Sequence, residues 1–411
     1  MGAVNLTRRH FALGAAALAA TPVFARAAPL ATGIDRLVRD PALAGGGRAI
    51  AMLTHAGAVD QRGRRAVDGA AEVLGSRLVA LLSPEHGLTG HAGAGEAVDD
   101  ARDAATGLPV LSLYGARRAP PDELLARIDT LLIDLQDIGL RPFTYAATMI
   151  DALRTAAAKG VRVVVLDRPN PLGGLAIDGP RPDPALISHV GALPLAFRHG
   201  MTLGEIARMI ATREGLPATE VVACTGWSRS EGTRIFAPGR LPFVPPSPNL
   251  RRARAVLAYA ATVLIEGTNL SEGRGTARPF ETIGAPWCDG AALARAMNAL
   301  HLPAVHFAPT RFTPTASKHA GQPCGGIRFT ARDEPAYDPL LTGLSLIAAT
   351  RDLLAADFAF LPGERPFFDL LTGQTWIREA LLAGEDPHAI KRRWQGDVDE
   401  FAAERRESLL Y

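Results

Sequence analysis

From residue 48 onward, apolar runs of strand length alternate with stretches of helical spacing. The runs Ala49–Leu53, Leu78–Leu82, Val110–Leu113, Thr130–Leu135 and Val161–Leu166 are nearly continuous in valine, isoleucine and leucine. That is the pattern of strands buried on both faces. Between them lie Ala66–Leu74, the weaker stretch Ala94–Ala105, Pro121–Ile128 and Tyr145–Ala158, where Met149, Ile150 and Leu153 keep helical spacing. Such alternation predicts an α/β fold, a parallel sheet with helices on its faces. Residues 171–250 are rich in proline and glycine, with Thr202 and Glu205 placed as a capping box before a helix over Leu203–Thr212. The prolines of Phe243-Val244-Pro245-Pro246-Ser247-Pro248-Asn249 resist helix and central strand alike. This segment reads as an extended link between two domains, lining a cleft. Beyond it, Val256–Ile265 reads as a strand or a helix–strand pair. Helical patterns recur at Gly290–Leu300, Leu344–Leu354 and Trp376–Ala383, with a strand at Gly326–Thr330, so the second part is expected to be α+β.

Composition narrows the class. A chain of 411 residues, 47% hydrophobic and 21% charged, has apolar surface for a real core and length for two domains. A net charge of +2 gives no footprint for nucleic acid or an anionic membrane. Arg8-Arg9 precedes a short apolar run, Phe11–Ala20, and the small-x-small site Ala25-Arg26-Ala27. The run is too short to span a bilayer, which needs about 20 residues. Residues 1–27 are therefore expected to be a twin-arginine signal peptide, leaving a mature chain in the periplasm or outside the cell with no stable membrane insertion. Cys224, Cys288 and Cys324 form no CxxC pair and have no flanking histidine pair, so no metal site is expected from them. They read as buried small apolar residues, with one disulfide open in an oxidising compartment.

The residues able to do chemistry lie just past the strand ends. These run into Thr54-His55-Ala56-Gly57, Ser83-Pro84-Glu85-His86-Gly87, Tyr114-Gly115, Gln136-Asp137-Ile138-Gly139 and Asp167-Arg168-Pro169-Asn170-Pro171. Open α/β sheets bind ligands outside the carboxyl ends of their strands. GxGxxG, Walker A, HExxH and GxSxG are all absent, so no dinucleotide or other cofactor is indicated. Gly90–Gly95 reads as a flexible loop. Glu266 ends the second-half apolar run as Glu85 ends the earlier one, and the stretch to Glu281 is rich in amides, hydroxyls, arginines and glycines. Such a loop suits a carbohydrate or carboxylate ligand. Carboxylates at two strand ends fit glycosidic cleavage, which needs one carboxyl protonated and one ionised. Desolvation beside Pro84 is expected to raise the pKa of Glu85.

These motifs resemble the NamZ-type exo-β-N-acetylmuramidases, also called YbbC-like proteins. The resemblance is carried by Ser83–Gly87, Leu113-Tyr114-Gly115, Asp134–Gly139, Leu166–Pro171, His199–Thr202, Pro246–Asn249, Glu266–Thr276, Phe280-Glu281 and Phe368–Leu371, in order along nearly the whole mature chain. It implies a Rossmann-like N-terminal domain, a smaller C-terminal domain, an active site in the cleft between them, and removal of N-acetylmuramic acid from the non-reducing ends of peptidoglycan-derived saccharides in cell-wall turnover. Domains are expected at 28–250 and 251–411. It makes Glu85 the leading catalytic carboxyl, taken as the general acid, with Glu266 and Asp137 the candidates for the second. Arg274 and Arg278 are offered as partners for the lactyl carboxylate of muramic acid. His55, His86, Tyr145, Asp167, Arg168, Asn170, Asn269 and Glu272 are offered as further substrate contacts. Two alternatives stand beside this reading. One is a metal-assisted hydrolase with His55, His86, Asp137 and Asp167 as ligands; the other is a non-catalytic periplasmic muropeptide-binding protein.

Overall fold

The computed structural model describes residues 29–411 continuously, and the twin-arginine segment lies outside them. Seven strands form the first sheet: β1 (Ile50–Thr54), β2 (Leu78–Ser83), β3 (Ala101–Arg102), β4 (Pro109–Ser112), β5 (Thr130–Asp134), β6 (Arg162–Leu166) and β7 (Glu220–Val222). Their order is β3-β4-β2-β1-β5-β6-β7, parallel except for the short edge strand β3. The chain winds outward from β1 through β2 to β4. It then returns to pair β5 with the other side of β1, and winds outward again through β6 to β7. This is the doubly wound, Rossmann-like arrangement, with its reversal between β1 and β5.

Both faces of the sheet are covered because successive residues point to opposite sides. Ala51, Leu53, Ala80, Leu82, Leu131, Ile133, Val163 and Val165 share one core with the helices Tyr145–Ala158 and Leu203–Glu214. Ile50, Met52, Leu81, Leu132, Val164 and Leu166 pack with the helices Gly33–Arg39 and Ala66–Leu74. The capping box at Thr202 forms as expected. The Thr202 hydroxyl accepts from the Glu205 N–H, the Glu205 carboxylate accepts from the Thr202 N–H, and the helix closes on left-handed Gly215.

The second half carries an antiparallel sheet of β8 (Thr282–Ala285), β9 (Val305–Phe312) and β10 (Cys324–Ala331), ordered β8-β10-β9. The long helix Pro339–Leu353 and shorter ones packed around it complete this α+β half. One apolar cluster runs from Ala51 of β1 to Phe401 near the chain end, so the two halves share a core.

Three expectations change. Ala94–Ala105 is turns and the strand β3, with no helix. Val256–Ile265 is no strand: helix Ala255–Thr262 runs into a 3₁₀ turn, Val263–Gly267. Every residue of that helix is buried, so no polar face marks its period. Glu266 therefore sits on a tight helical turn rather than at a strand end. Cys224, Cys288 and Cys324 are buried and unpaired. No helix among the described residues is long and apolar enough to cross a membrane.

Candidate active site

Strand β2 stops at Ser83, and Pro84 cannot extend the ladder. His86 and Gly87 then both take left-handed backbone, with φ of 71° and 73°. For a histidine this conformation costs on the order of 1–2 kcal/mol. The next loop offsets it. The His86 ring Nδ1 lies 2.8 Å from the Ala92 carbonyl, and the Ala92 N–H returns to the His86 carbonyl at 3.3 Å. The same loop brings the Gly95 N–H to Glu85 Oε1 at 2.9 Å, while the Thr144 hydroxyl donates to Oε2 at 2.7 Å. The glycine-rich stretch is thus part of the carboxylate's cradle. Burial pushes the Glu85 pKa up, but the Gly95 N–H, the nearby His86, Thr144 and Tyr114 outweigh it and hold the carboxyl below its usual range. This corrects the expectation of a raised pKa: the strand end supplies donors to the ionised form.

A cavity of about 810 Å³ opens beside Glu85, between the two halves. Glu85, His86, Tyr114, Arg118, Thr144 and His189 line it from the first half, and Ser247–Asn249 of the extended segment form part of its wall. From the second half come Glu266, Glu272, Arg274, Phe280 and Lys318. Arg274 pairs with Glu266 and, through Nε at 2.7 Å, with Glu272. Lys318 Nζ lies 3.1 Å from Glu272 and donates to the carbonyls of Ile265 and Thr268, each at 2.8 Å. With both carboxyls ionised, the four charges balance. Burial nevertheless raises the Glu266 pKa against the pull of Arg274. Burial also pushes Glu272 up, but Lys318 and Arg274 reverse this and lower it. His189 is driven down to about 4 by burial, so its ring is neutral, and its Nε2 has no hydrogen-bond partner among the described residues.

Of the residues singled out in the sequence, Glu85, His86, Glu266, Glu272 and Arg274 meet at this cavity. The others do not line it, each for a visible reason. His55 Nε2 accepts the Gln136 N–H at 2.9 Å, which a cationic ring could not do, and its pKa is pushed well down by burial. Asp137 holds the Gly139 N–H at 2.6 Å and faces His199 Nε2 at 3.6 Å. The Tyr145 hydroxyl donates to the Pro246 carbonyl at 2.6 Å. Asp167 binds the Thr202 and Tyr411 hydroxyls at 2.6 and 2.7 Å and the Gly204 N–H at 2.9 Å. Arg168 is locked in a fully buried pair with Asp134 and donates to the Val59 carbonyl. Asn170 is held by Met201 and Leu172, and Asn269 by Asp357 and Ala359. Arg278 is half-exposed beside Glu281. His55, His86, Asp137 and Asp167 are accordingly not gathered as a ligand set, and no cluster of three such donors occurs among the described residues.

Sequence reading missed Arg118, His189, Thr144 and Lys318 as wall residues and noted Tyr114 only as a strand end. Lysine occurs only at Lys159, Lys318 and Lys391, and that scarcity was the one available signal for Lys318. The others become visible only when loops distant in sequence face each other.

Two family models match consecutive parts of the chain: "Exo-beta-N-acetylmuramidase NamZ, N-terminal" over residues 50–254 and "Exo-beta-N-acetylmuramidase NamZ, C-terminal" over residues 257–411. The chain is 41% identical over 381 residues to the peptidoglycan β-N-acetylmuramidase NamZ of Bacillus subtilis (strain 168), covering 92% of this chain and 91% of that protein. Among solved structures it resembles two DUF1343 family proteins of Bacteroides fragilis NCTC 9343. One superposes with a TM-score of 0.84 at 31% identity, the other with 0.71 at 29%, each over 93% of this chain and 99% of the other.

Proposed function

The chain belongs to the exo-β-N-acetylmuramidase NamZ family, and on that premise we propose that it is a glycoside hydrolase releasing terminal non-reducing N-acetylmuramic acid from peptidoglycan fragments. The observation that supports the chemistry is one cavity whose facing walls carry carboxyls with pKa values displaced in opposite directions, Glu85 down and Glu266 up. Glycosidic cleavage has this asymmetry: one group must lend a proton to the departing oxygen while another, ionised, serves as nucleophile or activates water. Glu85, cradled by Gly95 and Thr144, serves as the ionised partner. Glu266 has the greater proton affinity and serves as the proton donor. This reverses the assignment of Glu85 as general acid, because its hydrogen-bond donors favour the charged form. Asp137 sits behind the wall and holds the Gly139 N–H. His86 shapes the turn that presents Glu85. The neutral His189 and the Tyr114 hydroxyl offer the sugar polar contacts without adding charge.

The leader motif supports export by the twin-arginine route to the periplasm or beyond, and with it a place in cell-wall turnover and recycling. The experiment that tests the function uses peptidoglycan oligosaccharides with either N-acetylmuramic acid or N-acetylglucosamine at the non-reducing end. Only the former should be shortened, by one muramic acid residue, with the remainder left intact. Binding without turnover over long incubation would instead establish a muropeptide-binding module. Cleavage at internal linkages would contradict the exo-acting assignment.

A further inference from the structure

We propose that Arg118 recognises the lactyl carboxylate of the terminal muramic acid, and so sets selectivity for that sugar over N-acetylglucosamine; this rests on the muramidase reading above. Muramic acid differs from glucosamine by an ether-linked lactyl group with an ionised carboxyl. A site that selects for it needs a cation whose charge is not already committed. Four cationic side chains face the cavity: Arg118, Arg251, Arg274 and Lys318. Arg274 is shared between Glu266 and Glu272, and Lys318 between Glu272 and two backbone carbonyls. Arg251 is exposed at the rim, with its Nε on the Pro248 carbonyl at 3.2 Å. Arg118 is exposed like Arg251 but differs from it in resting on an aromatic ring of the cavity wall, and among the described residues no carboxylate pairs with it within 4.0 Å. Asp151 feels its charge but pairs with Arg154 at 3.6 Å.

Arg118 is also held in place. Its guanidinium carbon lies 4.6 Å from the centre of the Tyr114 ring, a cation–π contact that anchors the head without pairing it to a carboxylate, and an arginine fork can take a carboxylate with two parallel bonds. The Tyr114 hydroxyl feels both Arg118 and Glu85, so the ring links the cation to the reacting carboxyl. The charge balance points the same way. The quartet of Glu266, Glu272, Arg274 and Lys318 holds its charges in ion pairs within the second half, with one net positive charge when Glu266 carries its proton, and His189 is neutral, so on the Arg118 wall Glu85 is left to repel an incoming anion. Arg118 cancels that repulsion at the one wall where substrate and reacting group must meet.

The test is calorimetric binding of free N-acetylmuramic acid, its lactyl amide and N-acetylglucosamine to the wild type, Arg118→Ala and Arg118→Lys, alongside turnover of a 4-nitrophenyl muramide. Arg118→Ala should weaken binding of the acid by roughly 10- to 100-fold, as expected for a lost charge-assisted pair, and the amide by far less. The kinetic loss should appear in KM rather than kcat, and Arg118→Lys should recover part of it. Equal losses for acid and amide, or an unchanged affinity for the acid, would overturn the assignment. Wild-type protein that binds the acid without hydrolysing the muramide would overturn the hydrolytic reading, while the acid–amide difference would still decide the role of Arg118. No binding of the acid by folded wild type would remove both.

Discussion

Two neighbouring strand-end regions of the first sheet use similar residues for opposite ends. At the reversal between β1 and β5, where a doubly wound sheet ordinarily opens a ligand crevice, His55 binds the Gln136 backbone. Just below, Arg168 and Asp134 form a pair with 2% and 0% side-chain exposure. Gln136 donates to the carbonyls of Asp137 and Pro169, and Arg168 to that of Val59. Most of those polar groups are spent on each other and on the backbone, and although Thr54 Oγ1 and Gln136 Oε1 find no partner, they do not line the cavity. One strand over, at the end of β2, Glu85, Tyr114, Arg118 and His189 face a cavity, His189 Nε2 without a hydrogen-bond partner and Arg118 without a carboxylate among the described residues. The crevice of the fold has become a polar weld, and the chemistry has moved to where the second half of the chain meets β2. Residue type alone does not mark a site; what marks it is unused capacity that faces a cavity.

Substitutions in the two regions should separate, with catalysis lost in one and stability in the other. The largest effect is expected for Glu266→Gln acting on a natural disaccharide with a poor leaving group: a fall in kcat of about 10²- to 10⁴-fold, the range for lost acid catalysis. The same variant should remain much closer to wild type on a 4-nitrophenyl glycoside, whose leaving group needs no proton. Equal losses on both substrates would remove Glu266 from the donor role. In the weld, Asp134→Ala leaves Arg168 buried and unpaired, and should lower unfolding free energy by about 3–5 kcal/mol. The surviving folded enzyme should keep its kcat within a few-fold, which denaturant titration and assay of the same sample would check.

A third, somewhat smaller effect concerns pH. Burial raises Asp167 from 3.8 to about 6, so the folded state holds this proton more tightly than the unfolded chain. Its contribution is full below pH 3.8 and is lost as pH rises through 6. The loss amounts to about 3 kcal/mol for a shift of that size. The stability difference between wild type and Asp167→Asn should therefore move against the wild type by that order between pH 3.8 and 6, and a flat difference would contradict it. The smallest effect is expected for His86→Asn. Asparagine tolerates left-handed backbone, so the turn should survive and activity should fall less than about tenfold, far short of a lost acid or base. A loss matching that of Glu266→Gln would place His86 in the chemistry.

The sequence was legible where burial is two-sided and continuous. The runs that became β1, β2, β4, β5 and β6 stand out because neither face needs a polar residue, and the helix over Tyr145–Ala158 was readable to its ends. It was opaque at the edges: β7 begins with an exposed Glu220, and β9 carries Pro309 and alternates toward solvent. Helix Ala255–Thr262, buried on all sides, offered no period to read. Glu85, His86, Glu266, Glu272 and Arg274 were found because they sit in long, unusual motifs. Asp167, Arg168 and Asn170 sit in an equally unusual motif and are structural, because Tyr411, Asp134 and Met201 reach them from far along the chain. The committed state of Arg274 and the free state of Arg118 likewise depend on pairings that no spacing announces.

The role of Glu85 is tested most directly by the release rate of N-acetylmuramic acid by wild type and Glu85→Gln, with unfolding free energy measured on the same preparations. A fall of about 10²-fold or more in kcat is expected, with stability changed little, since the substitution empties an acceptor at the cavity and not in the weld. A Glu85→Gln enzyme that turns over within a few-fold of wild type, or one whose lost activity tracks lost folding, would contradict the placement of the chemistry at the end of β2.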